Sequence, residues 1–431
     1  MNKSTILNNQ PYNSIQSKQN FTQTTQPKLI GKGAFGCVYK PQVNCSFKIN
    51  STQPIRDTYI KYISKIQVST KDENYDKSSE VKDHETVFGK IIQTFPNYYM
   101  YFSPILESCP IDINLLSLEE ITKCDIFDKT EQNYINSKIQ YIEGTSMSVY
   151  FNQFLKTNNR GSHSSNFHTR SFDDSSENKN FTLLPSDLQI LPLNFVKKFI
   201  QSYQHLIKAI NLLQKGPDYN SIIIHYDLKD NNIIFDIKRG IPIIIDFGLS
   251  FNKKNLFEFE HPKMLKEIFY VYYDTYLPWC IDIVLLSYIS QNILLKKSDV
   301  QPNENKDDLI KENYENGIVN VKELKNVVDT FINKNEILNW LNELDTKIVE
   351  KGITTKIKKQ WFFYIDSFEG KSWKDFIVDL RERYVLWDIY SISICFLTYI
   401  HDLNILNGKY EIPVFLNQMI QQLVKVFEKN V

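Results

Sequence analysis

The sequence predicts an α+β protein in two lobes, strand-rich first and mainly helical after, and three observations carry that expectation. At 431 residues with 42% hydrophobic side chains, the chain can bury more core than one average domain holds. Residues 27–142 alternate in the manner of strands, with turn signals around GKGAFG and at Phe95-Pro96-Asn97. From Asn194 the period changes. Phe195, Phe199, Tyr203, Leu206, Ile210 and Leu213 recur at three- and four-residue steps and stop at Gly216-Pro217, which reads as one amphipathic helix of about six turns.

Seventeen of the first 26 residues are Asn, Gln, Ser or Thr, too few apolar groups to offset the entropy of ordering, so residues 1–26 read as a flexible tail. A second polar tract, 156–181, reads as a surface loop between helices, and His163 and His168 within it as solvated residues rather than metal ligands. Beyond the long helix, the short apolar runs SIIIH, NIIF and IPIIID read as buried strands joined by loops.

Lys+Arg 50 balances Asp+Glu 50, so nothing draws the chain to nucleic acid or to an anionic membrane. The start MNKSTILNNQ lacks the apolar core of a signal peptide, and Ile281–Leu295 is too short to span a bilayer. A cytoplasmic, monomeric protein is expected. The six cysteines, at 37, 45, 109, 124, 280 and 395, form no CxxC pair and no spaced His/Cys cluster. That argues against a disulfide framework or a zinc site and for a reducing compartment.

Three motifs carry chemistry. Gly31-Lys32-Gly33-Ala34-Phe35-Gly36-Cys37-Val38 spaces its glycines so that a strand–turn–strand backbone can lie against phosphates. A dinucleotide fold would need a helix next, whereas CVYKPQV continues as a strand. His225-Tyr226-Asp227-Leu228-Lys229-Asp230-Asn231-Asn232 follows an apolar run directly. Asp227 there can accept the proton of an attacking hydroxyl, Lys229 can neutralise a moving phosphoryl group, and Asn232 can hold magnesium. Asp246-Phe247-Gly248 comes 14 residues after Asn232, room for one tight hairpin, and offers Asp246 as a second metal ligand.

In this order and at these separations the motifs resemble the eukaryotic-type Ser/Thr protein kinase superfamily. The YxSK pattern at Lys65, GCVYKP and PNYYMYFSPILESC look most like the protein kinases of large DNA viruses. The resemblance implies a kinase domain over 27–431, with an N-lobe to about 142 and a C-lobe from about 143. It also implies ATP and Mg2+ as cofactors and Ser/Thr hydroxyls of proteins as acceptors. ATP would meet Gly31, Lys32, Gly33, Ala34, Phe35, Gly36 and Val38, a strand lysine, its glutamate partner, and the hinge backbone of Gln140 and Ile142. Lys65 is the preferred lysine, with Lys61 as the alternative. Glu85 in HETVF is the preferred partner, with Glu80 behind it, although Gly89 one turn on departs from the hydrophobe usual there. Tyr226 stands where many regulated kinases carry an arginine for a phosphorylated loop, which argues against that form of control.

The resemblance also implies a buried helix beginning with an aspartate that braces the catalytic loop. Asp388 in DIYSISI has the better pattern and Asp282 in PWCIDIVLL the more usual distance. Choosing Asp388 leaves a large, mainly helical insertion within 251–386. A pseudokinase scaffold and a small-molecule phosphotransferase of the same fold remain as alternatives.

Overall fold

The computed structural model describes residues 26–33, 36–44, 61–69, 77–111, 113–128, 133–160, 189–258, 261–294, 306–344 and 348–428. Ala34, Phe35, the tail up to residue 25 and the greater part of the 156–181 tract, with His163 and His168, lie outside them.

The first part is a five-stranded antiparallel sheet in the order β1-β2-β3-β6-β5. Its strands are β1 (Lys28–Gly33), β2 (Gly36–Lys40), β3 (Tyr62–Ser69), β5 (Ile105–Pro110) and β6 (Asn133–Gln140), while the two-residue β4 (Phe102–Ser103) joins another sheet. Helix α1 (Lys77–Gln93) packs on β5. A Cβ on Gly89 would run into the carbonyl of Ile105, so this close approach is what removes the hydrophobe there.

The opposite face of the sheet is closed by residues 113–128, which include the short helix α2 (Leu118–Thr122) and a 3-10 turn at Asp125–Asp128. Leu116 and Cys124 pack on Cys37, Tyr39, Ile66 and Tyr134. Here the structure corrects the cysteine reading. Cys37 and Cys124 form a disulfide across 87 residues, and Cys109 is disulfide-bonded as well; Cys280 and Cys395 are free and buried. A pair 87 residues apart leaves no local spacing pattern, because the chain fold alone brings Cys37 and Cys124 together.

The second part is mainly helical. A sheet in the order β4-β11-β10-β7, from β7 (Gly144–Ser146), β10 (Ile233–Asp236) and β11 (Ile241–Ile245), carries the central loops. Helix α3 (Met147–Arg160) runs into the expected loop, so residues 156–160 are helical. Strand β8 (Gln189–Ile190) leads to α4 (Leu193–Lys215), which buries Phe195, Phe199, Leu206, Ile210 and Leu213 as the period predicts. Strands β9 (Ile223–Ile224) and β12 (Phe251–Asn252) pair antiparallel.

Residues 251–386 hold eight α-helices among the described residues. They are α5 (Lys253–Phe257), α6 (Met264–Ile268), α7 (Ile281–Tyr288), α8 (Lys306–Asn316), α9 (Val321–Lys334), α10 (Glu336–Glu343), α11 (Ile353–Asp366) and α12 (Trp373–Glu382). Helix α13 (Trp387–Asp402) is apolar nearly all round and therefore sits at the centre, with Phe396 against Phe199 of α4. Strand β13 (Tyr410–Glu411) pairs with β8, and α14 (Val414–Val424) closes the chain. Among the described residues no helix is long and apolar enough to cross a membrane.

Candidate active site

Strands β1 and β2 set Gly31 opposite Val38, Lys32 opposite Cys37 and Gly33 opposite Gly36. Gly36 is dictated by packing, since a Cβ there would meet the Ile66 carbonyl of β3. Val38 sits beside Lys65 on the neighbouring strand. Lys32 goes elsewhere: its ammonium pairs with Asp125 at 3.3 Å, on the exposed rim of the 113–128 segment.

Lys65 extends from β3 to two acids. Its Nζ lies 3.4 and 3.3 Å from the Glu85 carboxylate oxygens and 3.1 Å from Oδ1 of Asp246. Glu85 on α1 is buried; the side chain of Glu80 lies outside the described residues. Lys61 stands just before β3, and its carbonyl accepts the N–H of Tyr141 at 2.8 Å. Of the two candidate lysines, Lys65 is the one that reaches Glu85. Burial lowers the Lys65 pKa, but the Glu85 and Asp246 carboxylates outweigh it and hold the ammonium above its usual value. Burial likewise raises the Asp246 carboxyl, and the Lys65 charge and hydrogen bond reverse that into a net lowering. At the end of β6, the Gln140 carbonyl accepts from the Ser103 hydroxyl at 3.0 Å, and Ile142 is buried just beyond.

The loop after β9 is held from below. Asp388 accepts the backbone N–H of His225 at 2.8 Å and that of Tyr226 at 2.9 Å. Burial pushes its carboxyl pKa up, against the pull of His225 and those two bonds. Asp282 instead pairs with Arg383 at 3.4 Å, so Asp388 is the brace. Tyr226 takes φ 70° and Asp246 φ 62°, left-handed conformations costly for side chains of this kind. The His225 ring bonds to the Ile245 carbonyl at 3.1 Å and lies against Phe247, tying the two loops together.

Within the loop, Asn232 Nδ2 donates to the Asp227 carbonyl at 2.8 Å and to Asp227 Oδ2 at 3.0 Å. Lys229 Nζ lies 3.0 Å from the same Oδ2. Asp230 anchors the far end by accepting from Ser148 and from the Tyr399 hydroxyl. Among the described residues no group of three or more His, Cys, Asp or Glu is placed to hold a metal. One carboxylate, Asp246, and the amide oxygen of Asn232, whose nitrogen is already used, are hard donors that fit a magnesium ion completed by phosphates and water.

One site residue has no motif. The Tyr276 hydroxyl donates to Oδ1 of Asp227 and accepts from Lys229 at 3.2 Å. It lies in an irregular segment, and its only trace in the sequence is the tyrosine cluster YVYYDTY at 270–276. No protein-family model matches this chain, and no curated protein matches it.

Proposed function

We propose that this chain is a protein kinase of bilobal fold that transfers the γ-phosphate of ATP to Ser/Thr hydroxyls of protein substrates. The observation that carries the reading is the Lys65 ammonium, shared at 3.1–3.4 Å between Glu85 of α1 and Asp246 after β11. A partly buried lysine held by one acid from a helix and one from a second loop is suited to fixing phosphates against a metal ligand.

The residues divide the work. Gly31, Gly33 and Gly36 let the β1–β2 backbone approach the phosphates, and Val38, Gln140 and Ile142 are suited to the base. The Asp227 carboxylate orients an acceptor hydroxyl and takes its proton, and the nearby Lys229 ammonium faces the developing charge. Asn232 and Asp246 would hold Mg2+, which supplies charge neutralisation at the phosphates. Asp388 keeps the loop in place through its backbone.

The test is transfer of label from γ-labelled ATP with Mg2+ to a Ser/Thr peptide library. Wild-type protein is expected to label peptides. Asp227→Asn and Asp246→Asn are expected to lose about 100-fold or more in turnover while melting as wild type does. Absence of wild-type transfer, or full activity in either variant, would sink the reading.

A further inference from the structure

Asp227 is the group the proposed transfer needs open, and both of its oxygens are taken. Oδ2 faces Lys229 and Asn232, each at 3.0 Å. Oδ1 accepts the phenol hydrogen of Tyr276, while Lys229 lies 3.2 Å from that oxygen and 3.2 Å from the phenol oxygen. The phenol is also held in place. Its ring meets Trp279 edge-on at 5.2 Å, and the Trp279 indole N–H donates to the Tyr226 carbonyl at 3.3 Å, within the catalytic loop itself. A general base acts on a hydroxyl within hydrogen-bond reach. The hydroxyl that meets this condition at Oδ1 is the protein's own.

We propose that Tyr276 is an intramolecular phosphoryl acceptor of this site, an inference that rests on the kinase reading. In the step, Tyr276 Oη bonds to the γ-phosphorus of ATP as the bond from that phosphorus to the β,γ-bridging oxygen breaks. ADP leaves with the electron pair, and the phenol proton passes to Asp227 Oδ1. The product is a phosphotyrosine that carries close to two negative charges beside the Asp227 carboxylate. The Lys229 ammonium, 3.2 Å from the phenol oxygen, faces the new phosphate, and the ester oxygen, having lost its hydrogen, no longer donates to Oδ1, which is left to an external hydroxyl.

The test uses the full chain, first treated with phosphatase and then given ATP and Mg2+ over a wide range of protein concentrations. Phosphate is mapped by tandem mass spectrometry, with a Ser/Thr peptide present in parallel samples. The expected result is phosphate on Tyr276, formed at a fractional rate independent of protein concentration and absent from Asp227→Asn. Peptide phosphorylation with Tyr276 unmodified would overturn the proposal, make the phenol a brace for Asp227, and leave the kinase reading standing. A rate that climbs with protein concentration would overturn the intramolecular step, and label on Tyr276 in Asp227→Asn would assign it to another enzyme. No transfer to either acceptor would instead sink the kinase reading.

Discussion

The two faces of the five-stranded sheet are held by different means. On one face, Phe88 and Ile92 of α1 belong to the same continuous apolar core as α4 and α13, so that face is anchored chiefly by burial, with the Lys65–Glu85 pair and the Gln93 bond to the Leu106 carbonyl beside it. On the other, the buried apolar set is small: Cys37, Tyr39, Val43, Ile66, Leu116, Cys124 and Tyr134. Polar and covalent links supplement it. Glu120 accepts the Leu29 N–H at 2.6 Å, Tyr39 donates to the Glu120 carbonyl at 3.1 Å, and the Cys37–Cys124 disulfide joins β2 to the covering segment. A patch too small to stabilise itself by burial is being stapled, as small domains are. The stapled face backs the strands that carry the glycine motif, so covalent chemistry there bears on how that motif is held.

The largest expected effect comes from removing that staple. Closing a loop of 87 residues constrains the unfolded chain by about 4.6 kcal/mol in the chain-entropy model. The pair Cys37→Ala and Cys124→Ala should therefore destabilise the sheet strongly and leave the helical part intact. The five tryptophans, at 279, 340, 361, 373 and 387, all lie in the helical part. Tryptophan fluorescence is then expected to report a transition near that of wild type, while hydrogen exchange in 28–40 and 113–128 speeds up. Coincident loss by both probes would show that the two faces melt as one unit.

The other face should break at Gly89. Replacing a mid-helix glycine by alanine normally stabilises by about 0.5–1 kcal/mol. Here the added Cβ meets the Ile105 backbone, and overpacking of this kind costs about 1–3 kcal/mol. Gly89→Ala should lower the urea midpoint and, under the proposed function, weaken ATP binding, since α1 must shift and carry Glu85 away from Lys65. A variant more stable than wild type would mean that α1 has room to spare.

What could be read in the sequence follows the same division. Short motifs singled out Asp227, Asn232 and Asp246, and the resemblance preferred Lys65 over Lys61 and Glu85 over Glu80; the structure pairs Lys65 with Glu85 and Asp246. The long helix was legible because one face of α4 is buried and its period shows it. Asp388 needed geometry to separate it from Asp282, since both begin apolar helices and both are buried. Three features left no usable pattern. The disulfide joins residues 87 apart through a segment with weak periodicity. Lys32 turns toward Asp125 because that segment offers an acid at the rim. Tyr276 reaches Asp227 from an irregular stretch, where spacing says nothing about direction.

The smallest expected effect isolates one bond of the stapled face. Tyr39 is fully buried, and its hydroxyl donates to the Glu120 carbonyl at 3.1 Å. Tyr39→Phe keeps the ring and removes the donor, at a cost of about 1 kcal/mol for a lost neutral hydrogen bond. The loss should appear as faster exchange in 113–128 with an unchanged tryptophan transition. The ionisation of the same phenol gives a second readout. Burial, aided by the Glu120 charge, pushes its pKa up from 10.0 to about 12. A folded pKa above the unfolded value means that the neutral phenol contributes stability that is complete below pH 10 and fades as pH rises toward 12. The wild-type covering segment should therefore loosen progressively across that window, relative to its own value at neutral pH, and the Tyr39→Phe segment should loosen less. Equal alkaline loosening in both proteins would assign the effect to other tyrosines and remove Tyr39 from the clamp.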